Sequence, residues 1–162
     1  MVGAVTEALL FIGPSYVANA APLLFGGGRL LDGGRNFTNG KPIFGSHKTI
    51  RGFFAGIIAG SIIGMAESFV DSNLLLGGLI ISLGAVLGDL LGAFVKRRLS
   101  MRPGRPFPVV DQLDFVLGGL LLGFLIFPMS LTAVLLVVLV TPPIHLGTNF
   151  GAHLLGIKKT YW

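Results

Sequence analysis

Apolar residues run almost unbroken through five stretches of the chain, Val5–Phe25, Phe53–Val70, Leu74–Val95, Leu113–Phe127 and Leu131–Leu146, and polar residues collect between them. An α-helix needs about 20 apolar residues to cross the hydrocarbon of a bilayer. In that solvent every backbone polar group must find its partner within the span. The pattern therefore predicts an all-α integral membrane protein with five transmembrane helices, forming one transmembrane domain over residues 1–162. The fourth run is short, so its helix either begins within Pro106–Val110 or lies tilted. Long loops are expected at Gly26–Gly52 and Lys96–Gln112, tight turns at Asp71–Asn73 and Pro128–Ser130, and a tail from Gly147 to Trp162. Met1–Leu24 lacks a basic leading segment and carries Glu7 as its charge, so it reads as a retained span rather than a cleaved leader.

Composition agrees with that solvent. Only 12% of the 162 residues are charged and 52% are hydrophobic, whereas an ordinary globular domain is about 25% charged. The absence of cysteine excludes disulfides and thiolate metal sites. The basic residues are sorted: Arg29, Arg35, Lys41, Lys48 and Arg51 lie in the first loop, Lys96, Arg97, Arg98, Arg102 and Arg105 in the third, and Lys158 and Lys159 in the tail. The positive-inside rule then puts both long loops and the C-terminus in the cytoplasm and the N-terminus outside, in a multi-pass protein of the cell membrane. Glycines at Gly52, Gly56, Gly60 and Gly64, and again at Gly84, Gly88 and Gly92, line one face of the second and third spans. Such faces let helices approach closely, within the chain or across a homodimer.

Asp89 stands inside the cytoplasmic end of the third span, where an unpaired carboxylate is expensive. Lys96, two turns further on the same face with Gly92 between, is the expected partner if Asp89 is merely neutralised. Asp111 and Asp114 share a face of the helix that opens the fourth span; each alone would serve as a cap or dipole partner. Three carboxylates at one membrane boundary repel one another unless a cation sits among them. Oxygen ligands without Cys or His favour Mg²⁺, with Mn²⁺ as the substitute. The stretch GSHKTIRG adds Ser46, His47, Lys48, Thr49 and Arg51 just before a helix start, a setting that suits anions. The stiff turn at Pro103–Pro106 would bring Arg105 over the same site. Asn19, near the inner end of the first span, and Asn149 lie at the right depth to face it, while His145 and His153 read as packing or interface residues. GGGRLLDGG matches neither the P-loop nor the dinucleotide fingerprint, and no nucleophilic triad is visible.

The motifs GDLLGAFVKRR, PGRPFPVVDQLDFVLGG and FGSHKTIRGFFAG together resemble the archaeal CDP-archaeol synthases, small five-span relatives of the bacterial phosphatidate cytidylyltransferases. The resemblance covers nearly the whole chain. It departs from the bacterial branch where FPVVDQLD stands in place of a His-Gly-Gly-type stretch. It implies that CTP reacts with 2,3-bis-O-geranylgeranylglyceryl phosphate to give the CDP-activated lipid and pyrophosphate. It also implies Asp89, Asp111 and Asp114 as metal ligands, with Lys96 beside them in the catalytic set. Phosphate-binding residues would be Lys41, Ser46, His47, Lys48, Thr49, Arg51, Arg97 and Arg105, with Asn19 toward the nucleotide. CTP, the lipid phosphate and membrane lipids are the expected partners, and nucleic acid is not. Two other readings remain open on the residues: a cation transporter or channel that uses Asp89, and another Mg²⁺-dependent lipid enzyme of the CDP-alcohol phosphotransferase type, whose signature is not found here.

Overall fold

The computed structural model describes residues 3–101, 105–158 and 160. Five helices follow one another: α1 (Ala4–Phe25), α2 (Ile50–Glu67), α3 (Leu74–Arg98), α4 (Val110–Gly123) and α5 (Leu131–Leu154). Among the described residues the only pairing outside helices is two isolated β-bridges in the first loop, Leu30 with Thr49 and Asn36 with Pro42. Four helices, α1, α2, α3 and α5, are long and apolar enough to cross a membrane. The fourth is not. At 14 residues and about 1.5 Å per residue, α4 falls short of a hydrocarbon layer roughly 30 Å thick. It starts at Val110, three residues before the expected apolar run, and gives way to turns from Phe124. At the other boundaries α3 continues through Lys96, Arg97 and Arg98, and α5 runs through Pro142 and Pro143 to Leu154.

The core is small and central, built on Phe11 of α1, Ile81 of α3, Phe115 and Val116 of α4 and Val137 of α5. Large apolar side chains elsewhere point outward: Leu121 and Leu139 are 76% and 71% exposed, as suits a face turned to lipid tails. The tight contacts come from glycine. A Cβ on Gly56 would lie 2.6 Å from the Ala18 carbonyl oxygen of α1, and one on Gly60 would lie 2.6 Å from that of Pro14. Gly64 meets Gly78 of α3, backbone to backbone. On the other side of α3, Gly84 and Gly88 press on Gly118 and on the Asp114 carbonyl of α4. Both glycine faces are therefore occupied inside the chain, including the faces that a homodimer would have used.

This packing sorts the connections to two ends. The Glu7 carboxylate accepts the Ser130 amide at 2.8 Å, so the start of α1 meets the turn before α5. At the opposite end the first loop folds over the last turn of α3. There the Arg98 guanidinium donates to Asn39 Oδ1 at 2.7 Å and to the carbonyls of Lys41 and Pro42. It also lies 4.8 Å from the centroids of both Phe37 and Phe94. A planar, multi-donor cation matches that mixed polar and aromatic setting.

Candidate functional site

The site forms where the first loop enters α2, α3 ends and α4 begins. Thr49 caps α2: its Oγ1 accepts the amides of Gly52 at 3.1 Å and Gly27 at 3.2 Å. That bond fixes the preceding residue, Lys48, whose ammonium pairs with Asp89 on α3. The partner expected from helical spacing was Lys96; it bonds instead to Asp111 across the α3–α4 seam, at 2.7 and 2.9 Å. A helix face shows which residues can meet along it, but a cation from another segment reached Asp89 first.

Asp111 is tied twice. Its Oδ2 also accepts the Phe107 amide at 3.0 Å, while its own amide donates to the Phe107 carbonyl at 3.0 Å. Between them Val109 adopts φ 68° and ψ −50°, with the Val110 amide bonded to the Pro108 carbonyl at 2.8 Å. This is the rare, strained form of the γ-turn, and a β-branched residue in it is a genuine outlier.

Asp114 sits one turn further along α4, and Gly92 makes room for it. The carboxylate occupies the space where a Cβ on Gly92 would project, so the gap between Asp89 and Lys96 is filled from the neighbouring helix. Its Oδ1 accepts the Phe115 amide at 2.7 Å, and Asp89, Asp111 and Lys48 all act on it electrostatically. Phe115 anchors this residue: it is fully buried, edge-on to Tyr16 at 5.3 Å and tilted against His145 at 5.9 Å.

As the side chains stand, no three Asp, Glu, His or Cys groups among the described residues converge closely enough to enclose a metal ion. The donor chemistry nevertheless fits a hard divalent cation. All three acidic groups offer only oxygen, two are balanced by ammonium groups that can turn to phosphate instead, and Asp114 makes no salt bridge among the described residues.

The other expected residues divide. A cleft of about 40 Å³ lined by His47, Lys48, Thr49 and Asp89 joins the GSHKT stretch to the first of the carboxylates. A wider hollow of about 560 Å³, lined by Arg29, Asp32 and Arg35, lies in the first loop, and Leu31 borders both. Arg97 is 9% exposed, lies beneath Gly45, and has a buried Nε with no hydrogen-bond partner among the described residues. Ser46, Arg51 and Arg105 are exposed, and Asn19 is partly buried within α1. Lys41 turns away, its ammonium bonded to Ser100 Oγ. The Pro103–Pro106 turn falls partly on residues 102–104, outside the described residues. Two residues assigned to packing or to topology alone belong near the site. His145, bonded to Asn149 at 3.2 Å, lies within electrostatic reach of Asp89 and Asp111, and Lys158 of the tail within reach of Asp111 and Lys96. Neither has a local signal; α5 must first be packed on α4 before they appear.

The whole chain, residues 1–162, matches the family described as CarS-like, CDP-archaeol synthase. A CDP-archaeol synthase of Methanopyrus kandleri is 42% identical, covering 96% of this chain and 92% of its own length. That of Methanococcus aeolicus is 38% identical, covering 98% and 97%. A solved structure described as an intramembrane enzyme for archaeal membrane lipids biosynthesis superposes with a TM-score of 0.82 at 36% identity, over 88% of this chain and 92% of that one.

Proposed function

Because the chain belongs to the CDP-archaeol synthase family, CTP-dependent cytidylyltransferases of archaeal lipid biosynthesis, we propose that it transfers CMP from CTP to 2,3-bis-O-geranylgeranylglyceryl phosphate at the Asp89, Asp111, Asp114 site. Pyrophosphate leaves. The observation that carries the reading is the meeting of these three aspartates with Lys48 and Lys96 at one end of a bundle of apolar helices. The family assignment gives no support to the cation-transport reading.

The chemistry asks for little more. A phosphate monoester has a second pKa near 6, so the lipid phosphate is already largely dianionic and its oxygen can attack the α-phosphorus of CTP without a strong general base. What remains is to orient two polyanions and to balance their charge. Lys48 and Lys96 supply positive charge beside the carboxylates; Arg51, Arg97 and Arg105 extend it along the loops and the end of α3, and Ser46 and His47 add hydrogen-bonding groups. The buried Arg97 Nε, unpartnered among the described residues, supports a phosphate contact, since an unmet buried donor is costly. Asp89, Asp111 and Asp114 would hold Mg²⁺ or Mn²⁺, which when bound neutralises charge on the transferred group and on the leaving pyrophosphate.

In this reading α4 completes a fifth crossing with the apolar residues that flank it. The end bearing the basic loops faces the cytoplasm, where CTP is available, the N-terminus lies outside, and residues 1–162 act as one catalytic domain. The test is pyrophosphate release by purified protein in detergent. Release is expected only with CTP, lipid phosphate and Mg²⁺ together, and Asp111→Asn should lower it by at least about 100-fold in folded protein. Release that survives chelation, or wild-type rates in that variant, refutes the metal-ligand assignment.

A further inference from the structure

We propose that Val109 is a positioning residue for Asp111: its strained turn latches the carboxylate against Lys96 and the Phe107 amide, and relaxation of that turn releases the carboxylate to bind the divalent cation. The proposal rests on the metal-ligand reading above and adds to it a residue with no polar side chain of its own.

The sequence leaves one soft joint ahead of α4. The rings of Pro106 and Pro108 fix φ at about −65°, and each restricts the residue before it, so residues 105–108 form a stiff arm. On the other side α4 is already set: the Val109 carbonyl accepts the amides of Gln112 at 3.2 Å and Leu113 at 3.0 Å. The torsions left between arm and helix are those of Val109. At φ 68° and ψ −50° they are in a form that a β-branched residue avoids. The valine side chain is 57% exposed, so little burial offsets that strain. Such strain persists only where its surroundings hold it. Three hydrogen bonds do so: Val110 amide to Pro108 carbonyl at 2.8 Å, Asp111 amide to Phe107 carbonyl at 3.0 Å, and Phe107 amide to Asp111 Oδ2 at 3.0 Å.

The last of these bonds ties the strain to the site. A carboxylate oxygen has two acceptor positions, and on Asp111 Oδ2 both are taken, by the Phe107 amide and by the Lys96 ammonium at 2.7 Å. Oδ1 accepts the same ammonium at 2.9 Å. The ammonium sits on a long side chain and can leave for a phosphate. The amide belongs to the backbone and leaves only if the arm moves. While it stays, the carboxylate is pinned, and no three acidic groups among the described residues converge closely enough to enclose a metal ion. Relaxing Val109 to negative φ swings the arm and carries the Phe107 N–H away. One torsion then frees an oxygen and lets the carboxylate turn, and the strain released offsets part of the hydrogen bonding lost.

Mn²⁺ alone, titrated into the full chain in detergent and followed by electron paramagnetic resonance of the free ion, reads the metal site without turnover. Glycine accepts positive φ freely, so Val109→Gly removes the strain from the latched form. It should weaken Mn²⁺ binding by about 3- to 30-fold, the strain of a β-branched residue less the freedom glycine gains when the turn opens. Phe107→Pro removes the N–H of the latch and should tighten Mn²⁺ by at least about threefold. Phe107→Ala keeps the N–H and should stay close to wild type. A turn that merely holds Asp111 ready for metal predicts weaker or unchanged binding in both Val109→Gly and Phe107→Pro. Amide exchange in the wild type decides the matter if Phe107→Pro does not fold: saturating Mg²⁺ should speed exchange of the Phe107 amide. Unchanged affinity in Val109→Gly, weaker or unchanged binding in folded Phe107→Pro, or a Phe107 amide equally protected with and without Mg²⁺ overturns the latch. If Asp111→Asn still loses the metal in that case, the enzyme reading stands without it. Mn²⁺ affinity that Asp111→Asn leaves unchanged overturns the metal-ligand assignment and the latch together.

Discussion

Gly92 offers a way to move one carboxylate without unfolding the protein. In Gly92→Ala the new Cβ would project into the Asp114 carboxylate, with Asp114 Cγ only 2.9 Å and Cβ 3.1 Å away. Overpacking of this kind costs about 1–3 kcal/mol, but the first obstacle is the movable end of a side chain. Alanine in place of glycine in a helix interior returns about 1 kcal/mol. The two effects offset in part and leave a net cost of about 0–2 kcal/mol. The carboxylate must still swing aside. A misplacement on the order of 1 Å in a positioned group costs about 100-fold in rate, equivalent to about 2.7 kcal/mol of barrier. Gly88→Ala is the control: there the new Cβ meets α4 backbone, with the Asp114 carbonyl carbon at 2.9 Å and Gly118 Cα at 3.1 Å. Backbone cannot turn away, so the helices must separate. The paired assay is pyrophosphate release together with thermal unfolding in the same detergent. Gly92→Ala should lose turnover while still folded, with at most a modest drop in melting temperature, and Gly88→Ala should lose stability outright. Wild-type turnover in Gly92→Ala would refute the claim that the position of the Asp114 carboxylate matters.

Two further expectations follow from the loop. Thr49→Ala removes the cap that receives the Gly52 and Gly27 amides and should lower stability by about 1–2 kcal/mol, measured by thermal unfolding, with Thr49→Ser close to wild type. Arg98→Ala should release the first loop from α3, read as faster amide exchange over residues 36–42 with α2 and α3 unchanged. Arg98→Lys should not restore protection, because a point charge cannot both span the Asn39, Lys41 and Pro42 acceptors and stack on Phe37 and Phe94.

Much of the scaffold was legible because lipid imposes simple local demands. The five apolar runs correspond to five helices, and the four-residue glycine spacing marked the faces where helices touch. What those faces touch depends on the bundle. Gly64 meets Gly78, and Gly92 meets Asp114, through contacts that no periodicity encodes. The same limit explains the carboxylates: helical spacing proposed Lys96 for Asp89, whereas Lys48, 41 residues away in the chain, is its partner. The helix ends ran past the apolar runs because Lys96, Arg97 and Arg98 extend α3 while reaching toward the loops. Lys158 looked like a marker of topology because its approach to Asp111 and Lys96 depends on a turn at Gly156 and on the packing of α5.

The α3–α4 seam has a mechanical consequence. Where two helices meet through glycine and carbonyl, with no side-chain layer between them, there is nothing to act as a bearing. Sliding one helix by a residue, about 1.5 Å, would drive Gly88 into the Asp114 backbone. The backbone spacing between Asp89 and Asp114 is therefore set by the packed helices, and adjustment is left to their side chains. Breathing of the site has to come from the parts mounted on that frame: the first loop clamped by Arg98, the strained turn at Val109, and α5, which among the helices of the described residues packs on α1 and α4 alone. In this protein the rigid ruler and the moving doors are separate components.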